Sequence, residues 1–146
     1  MADVTNIKWV YPPNFEGTFD EGTKNGYRRY IVKCTNYSDA TGEDEVIKVK
    51  RADLLTSAGN TPGRLVIEKI DYDISGMTVK IGYDNMDDEW AAILYGSSGC
   101  LDFTPHGGFV PMAEEAELGG GNIIFTTENS TSADSYDITL TVRAKD

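Results

Sequence analysis

The sequence predicts an all-β protein, an antiparallel two-sheet sandwich that is jelly-roll-like and has about eight strands. Apolar residues recur at every second position, as in Tyr136, Ile138, Leu140 and Val142, which is the period of a half-buried strand. Gly, Pro, Asn and Asp bound these runs and indicate turns. Only 114–118 suggests a helical turn, and three glycines follow it directly. These observations favour strands over helices throughout the chain.

The clearest pair of strands is predicted within 65–84. Alternating apolar residues run up to Ile74 and resume at Met77, and the two runs are separated by Ser75-Gly76. Because so short a link is typical of a tight turn, we interpret this segment as a β-hairpin. The remaining strands are assigned from similar runs between turn residues, at 4–11, 27–36, 45–50, 89–96, 122–127 and 136–143.

The chain of 146 residues has the length of one domain, so we predict a single β-sandwich domain over 1–146. Its beginning, 1–26, is a candidate arm and loop. A predicted strand with Trp9 and Tyr11 is followed there by a segment rich in Pro and Gly. Such a segment either reaches a neighbouring subunit or forms an ordinary surface loop.

The formal net charge is −11, and its distribution is uneven. Residues 81–142 hold 11 acidic side chains and no Lys or Arg, while the rest of the chain balances at 13 acidic and 13 basic. An acidic protein repels DNA and anionic lipid, so neither nucleic acid nor membrane is predicted as a partner. The pattern also predicts a surface that is acidic on one side and near neutral on another.

Catalytic, metal and cofactor sites are not predicted. The single histidine, His106, lies in a loop with no assignable nucleophile or orienting group, although a small hydrolase would need both. Cys34 and Cys100 have no metal-ligand spacing and are interpreted as unpaired thiols. The acidic clusters 39–45 and 84–89 lack EF-hand spacing. We interpret them as solvated turns, with a calcium site as the alternative.

The chain as a whole resembles small virion structural proteins of tailed bacteriophages, of the capsid cement or decoration type. The similarity extends over nearly the whole chain. The segments that carry it are NIKWVYPPNF at 6–15, YIVK at 30–33, SGMTV at 75–79, Asp102-Phe103 with Gly107-Gly108, and SYDITL at 135–140.

This resemblance implies a jelly-roll-like domain that clamps capsid subunits from outside, often as a dimer or trimer. The expected partner is therefore the major capsid protein, the expected location is the outer capsid surface of the virion, and assembly would take place in the host cytoplasm. Two groups of residues are the candidate contacts. They are Trp9, Tyr11, Pro12, Pro13 and Phe15 in the first strand and loop, and Arg28, Arg29 and Lys33 in the next strand.

A second hypothesis is a carbohydrate-binding or adhesion module of a phage tail or fibre. It requires exposed aromatic rings on which sugars stack, and Tyr95, Phe103 and Phe109 are the candidates. Exposed aromatic side chains at one place would favour this hypothesis, whereas aromatic side chains in the core would not.

Overall fold

The computed structural model describes residues 4–12, 15, 26–39, 42–56, 58–84, 89–109 and 121–145. Two single-turn 3₁₀ helices, Arg51–Asp53 and Thr104–His106, connect strands within these ranges. The strands are β1 Val4–Tyr11, β2 Arg29–Asp39, β3 Val46–Val49, β4 Arg64–Ser75, β5 Thr78–Tyr83, β6 Glu89–Leu94, β7 Ser98–Asp102, β8 Ile123–Glu128 and β9 Ser132–Lys145.

The strands form two antiparallel sheets, one in the order β1-β2-β9-β4-β7 and the other in the order β3-β8-β5-β6. The pairs β2–β9, β3–β8, β4–β7 and β5–β6 are nested: the strands that are outermost in the sequence pair with each other, and so on inward to β5 and β6. This nesting is what wraps eight strands into a jelly roll. The predicted all-β jelly-roll sandwich is confirmed, and β1 is an additional strand beside β2.

One hydrophobic core lies between the two sheets and is built from the inward-facing side chains of both. Burial of each large apolar side chain contributes about 1.5–3 kcal/mol before the cost of ordering the chain. As predicted, the four apolar side chains of the alternating C-terminal run, Tyr136, Ile138, Leu140 and Val142, are buried in this core. The largest fully buried side chains are Tyr30, Leu54, Leu65, Ile67, Ile70, Met77, Ile81, Tyr83, Ile123, Ile124, Phe125 and Ile138.

The predicted hairpin at 65–84 is wrong. β4 pairs with β9 and β7, whereas β5 pairs with β6 and β8. The chain therefore crosses from one sheet to the other between Ser75 and Thr78, through Gly76 at a φ of 85°. A hairpin and a sheet-to-sheet crossing both need a short turn between two alternating runs. The local pattern cannot distinguish them, because the choice depends on strands elsewhere in the chain.

The strand β7 was not predicted. Its sequence, SGCLD, holds one large apolar residue, Leu101, and its other residues are exposed. It forms an edge of the five-stranded sheet through backbone pairing with β4, so it needs no buried face. The described residues consequently form nine strands where about eight were predicted. The predicted helical turn at 114–118 lies outside the described residues.

Among the described residues, the acidic side chains of 81–142 are not all separated from the basic side chains of the rest of the chain. β9 lies between β2 and β4, and β8 lies between β3 and β5, so strands from both halves of the chain alternate. Acidic residues of the 81–142 segment therefore meet basic residues from the first half. Asp137 pairs with Lys33 at 3.1 Å, and Glu128 pairs with Lys80 at 3.0 Å.

Two adjacent glycines after β7 provide a matched test of packing. Gly107 and Gly108 both have a φ near 90° (83° and 93°), which disfavours any side chain. A Cβ on Gly107 would meet nothing within 4 Å, whereas one on Gly108 would lie 2.4 Å from Cγ1 of Val66. We expect Gly107→Ala to destabilise the fold by about 1 kcal/mol and Gly108→Ala by about 3 kcal/mol. Urea unfolding of both variants measures this, and equal losses would contradict it.

Candidate functional site

The strand β1 forms an exposed edge of the five-stranded sheet. It pairs with β2 from Val4, opposite Tyr37, to Tyr11, opposite Ile31, so residues 4–11 are part of the sheet. Three of its large apolar side chains are exposed to 38%, 48% and 44%, namely Ile7, Val10 and Tyr11. An edge strand also presents unpaired backbone N–H and C=O groups to any further strand. No described strand pairs with the outer side of β1, so among the described residues this apolar edge is available to a partner.

A β-bulge in β1 directs two neighbouring aromatic residues to opposite faces of the sheet. Trp9 pairs with Val32, but Tyr11 pairs with Ile31, so Val10 is an extra residue between them. Because a bulge shifts the alternation by one position, Trp9 shares the inner face with buried Val32. Tyr11 shares the outer face with Ile31. Strict alternation would have placed both aromatic side chains on one face.

Trp9 anchors β1 to the core. Its ring makes edge-to-face contacts with Phe15, at 4.9 Å between centroids, and with Tyr30, at 6.2 Å. The Tyr30 hydroxyl donates a hydrogen bond of 2.6 Å to the Leu55 carbonyl oxygen, and burial raises the pKa of this phenol. Trp9 and Phe15, both predicted contacts, therefore pack against the core on the inner side of the edge strand.

The outer face beside β1 contains a shallow, mostly apolar groove of about 350 Å³. Tyr11, Tyr27, Arg28, Arg29 and Ile31 line it. The rings of Tyr11 and Tyr27 meet edge to face at 5.9 Å between centroids. The groove is thus lined by two partly exposed tyrosine residues and by two arginine residues.

Arg29 is held in an ion pair beneath this groove. Its guanidinium donates to both carboxylate oxygens of Glu68, at 2.6 Å and 3.3 Å, and this contact raises the pKa of Arg29. The Glu68 side chain is buried, and Nε of Arg143 lies 3.8 Å from its second oxygen. Because one carboxylate joins β2, β4 and β9, Arg29 contributes to the framework of the groove.

Two other cations of this surface have no carboxylate partner among the residues that the structure describes. Lys33 pairs with Asp137, but Lys8, directly opposite Lys33 on β1, has no ion pair with any described residue. Within the same ranges, Arg28 at the groove has none either. Like charges opposite each other on a sheet repel. Lys8 and Arg28 therefore favour a partner that brings negative charge to the edge.

The groove contains three of the predicted contact residues and two residues that were not predicted. Tyr11, Arg28 and Arg29 line it together, whereas sequence reasoning missed Tyr27 and Ile31. No local signal identifies these two, because only the bulge in β1 brings Tyr11 to their face.

The other predicted contacts lie elsewhere. Pro12 is buried at the end of β1, where its carbonyl oxygen accepts a hydrogen bond from the backbone N–H of Phe15. Lys33 lies farther along the outer face of β2, in its ion pair with Asp137. Pro13 lies outside the described residues.

The three aromatic residues of the carbohydrate hypothesis do not share one exposed surface. Tyr95 is 71% exposed, but Phe103 and Phe109 pack against the core. The Phe109 ring stacks on Tyr83 at 6.0 Å and lies 6.2 Å from the Phe103 ring. A sugar would meet Tyr95 without the other two rings.

A second group of polar residues lies buried between the sheets, around Glu43. Its carboxylate accepts hydrogen bonds from Asn36, at 2.9 Å, and from the hydroxyl of Tyr136, and it forms an ion pair with Lys48. The Glu43 and Lys48 side chains are only 5% and 2% exposed. The interpretation of 39–45 as a solvated turn is therefore wrong for Glu43, whose side-chain partners come from β2, β3 and β9.

The second acidic cluster, 84–89, begins with a residue that closes a loop. The carboxylate of Asp84 accepts hydrogen bonds from the backbone and side-chain nitrogens of Asn122, at 2.8 Å and 3.2 Å. Residues 85–88 lie outside the described part. Over the ranges that the structure describes, no group of three or more His, Cys, Asp or Glu side chains is arranged to hold a metal ion.

The two free cysteines differ in reactivity. Cys34 is buried in the core, and burial raises the pKa of its thiol to about 12. Cys100 is exposed on β7, and a hydrogen bond to Asp71 raises the pKa of its thiol. Because the thiolate is the reactive form, we expect a thiol reagent to label one cysteine of the folded protein, slowly. Cys100→Ser should abolish this labelling, and labelling of the folded variant would contradict the assignment.

Comparison with known proteins leaves the chain without a match, because no protein family, no curated protein and no solved structure is similar to it. In the described ranges, no helix is long and apolar enough to cross a membrane.

His106 is exposed at the end of its 3₁₀ turn. The geometry defines a jelly-roll protein with an apolar, cation-bearing edge.

Proposed function

We propose that this chain is a non-enzymatic decoration protein, or cement protein, of a tailed-phage capsid. It binds the outer capsid surface and bridges neighbouring major capsid subunits, and so stabilises the head. The observation that carries the proposal is β1, a strand outside the eight-strand jelly roll whose apolar side chains are exposed along an open edge.

The chemistry of the edge defines the kind of coat surface that it binds. Its exposed apolar side chains bury area against a partner, and its free backbone groups pair with a partner strand or extended loop. Lys8 and Arg28 complement acidic side chains on that segment. The partner is therefore an extended coat segment with apolar and acidic residues, and neither nucleic acid nor membrane takes part.

Stabilisation of a shell follows from selective binding to its assembled form. A ligand that binds only the assembled state stabilises it by RT ln(1 + [L]/Kd), which is about 2.7 kcal/mol per site at a concentration of 100 Kd. Many copies on one shell add their contributions. A dimer or trimer would multiply the contacts of each copy further. Modest affinity at each edge is therefore sufficient for a cement.

The alternative is a carbohydrate-binding or adhesion module of a phage tail or fibre. Its favourable feature is Tyr95, the most exposed of its three aromatic candidates. The other two pack against the core, so an aromatic platform for a sugar would have to come from Tyr11 and Tyr27, which expose two neighbouring rings at the groove.

The test is to mix the purified protein with shells assembled from the major capsid protein of the phage that encodes it. We expect the protein to sediment with assembled shells, to remain in solution with unassembled coat protein, and to raise the temperature at which the shells disrupt. Reconstruction of the decorated particles should place it on the outer surface. A protein that stays in solution with intact shells overturns the proposal, and binding to a glycan array would then favour the alternative.

A further inference from the structure

Two side chains between the sheets, those of Asn36 and Lys48, meet at the carboxylate of Glu43. The amide nitrogen Nδ2 of Asn36 donates to Oε1 of Glu43 at 2.9 Å, and Nζ of Lys48 contacts Oε2 of the same group. The Lys48 amine and the Asn36 carboxamide are therefore both bound to one carboxylate, each through a different oxygen. Asn36 comes from β2 and Lys48 from β3, so the contact spans both sheets.

This group is shielded from solvent and lies beside the apolar core. Asn36, Glu43 and Lys48 are each less than 8% exposed. Nζ of Lys48 lies 5.8 Å from the centroid of the Phe125 ring. Burying an ion pair costs several kcal/mol of desolvation for each charge, so a reaction that removes both charges is favoured at this place.

We propose that Lys48 and Asn36 join through an intramolecular isopeptide bond, and that Glu43 carries the proton that this reaction transfers. The bond forms between Nζ of Lys48 and Cγ of Asn36, and it links β3 of one sheet covalently to β2 of the other.

The reaction balances without any other reagent. Glu43 accepts a proton from the Lys48 ammonium group, and the freed electron pair on Nζ attacks Cγ of Asn36. Glu43 passes this proton to the departing Nδ2, whose bond to Cγ breaks, and the nitrogen leaves as ammonia. A second proton passes from Nζ to Glu43. The products are a neutral amide, ammonia and a protonated carboxyl group, so no buried charge remains.

The neighbouring groups suit this chemistry. The Tyr136 hydroxyl donates to Glu43, and burial raises the pKa of this phenol, so it remains a donor. Cys34 also faces this region, and burial raises its pKa to about 12. Its thiol is therefore protonated and does not compete with the lysine amine as a nucleophile.

The bond would join the two sheets close to the edge strand β1. β3 is an edge of its sheet, and β2 lies next to the open strand β1. A covalent link there prevents the two sheets from separating when load is applied through β1. This property is useful to a protein that holds a shell together, although the bond itself does not depend on the proposed function.

Intact-mass spectrometry of the denatured wild-type protein tests the proposal, after the folded protein has stood overnight. We expect a mass about 17 Da below that of the sequence, the loss of one ammonia. Lys48 with an acylated side chain also resists trypsin, so the digest should contain a peptide of residues 34–50 that carries the deficit. Cleavage of this peptide after Glu43 or Glu45 should leave its two parts joined.

Each alternative outcome is distinct and overturns the proposal. The full mass with normal cleavage after Lys48 means that no bond forms. A deficit of about 17 Da with cleavage after Lys48 means that Asn36 has cyclised on its own backbone, and a deficit of about 18 Da points to Glu43 as the acyl group. Lys48→Arg keeps the positive charge without a nucleophilic amine and should restore the full mass. Lys50→Arg is the matched control and should keep the deficit.

Discussion

Glu43→Ala lowers the free energy of unfolding by roughly 3–5 kcal/mol, because it leaves the Lys48 ammonium buried without a counter-charge. The substitution also removes the acceptor of the hydrogen bonds from Asn36 and Tyr136. The proposed isopeptide bond would add to the loss, since Glu43 carries its proton. Urea unfolding followed by tryptophan fluorescence measures the effect.

The chain offers a matched control for this prediction. Glu128 and Lys80 form an ion pair of the same residue types at 3.0 Å, but their side chains are 48% and 26% exposed. Water screens such a pair, so Glu128→Ala should cost less than about 1 kcal/mol. Similar losses in the two variants would show that Glu43 is not the centre of a buried network.

Combining Tyr11→Ala with Arg28→Ala should weaken binding to assembled shells by about 10–100-fold, under the proposed function. Tyr11→Ala removes an aromatic ring that lines the apolar groove. Arg28→Ala removes one of the cations that have no carboxylate partner among the described residues. Large aromatic and arginine side chains commonly carry most of the energy of an interface. Sedimentation with shells over a range of protein concentrations gives the change in Kd, and unchanged binding would exclude the groove as the contact.

Point substitutions test the edge better than deletion of β1. Removing residues 1–15 would also remove Trp9 and Phe15, whose rings pack against Tyr30. Tyr95→Ala is the matched control, because Tyr95 is an exposed tyrosine just after β6, in the other sheet. It should leave binding to shells unchanged. Added salt should weaken binding of the wild type more than binding of the double variant, since Arg28 contributes charge.

The fold class followed from patterns that are local in the chain. Alternation in the C-terminal run indicated a strand whose inner face is buried, and β9 has that face. The same reasoning failed at β4 and β5, where two runs and a glycine turn looked like a hairpin. Which strands become neighbours depends on β9, β7, β6 and β8, and no window around Gly76 contains them.

The candidate site was predictable only in part. Tyr11 and Arg28 were predicted as contacts from the composition of the first strand and of the basic segment that follows. Their meeting with Tyr27 and Ile31 depends on an extra residue, Val10, whose effect appears only once β1 is paired with β2. The same limit applies to Glu43, which lies among acidic residues in the sequence but has its partners on β2, β3 and β9, strands of both sheets.

The sequence by itself determined that this protein is a β-sandwich, because burying one face of each strand imposes a period of two that survives in the amino-acid order. Only the tertiary structure decided which residues are neighbours. It nested the strands into a jelly roll and turned Tyr11 to the outer face. It also enclosed Lys48, Glu43 and Asn36 together. These contacts join residues from different strands, so the free energy that selects them belongs to the packed sheets and leaves no periodic signal in the chain.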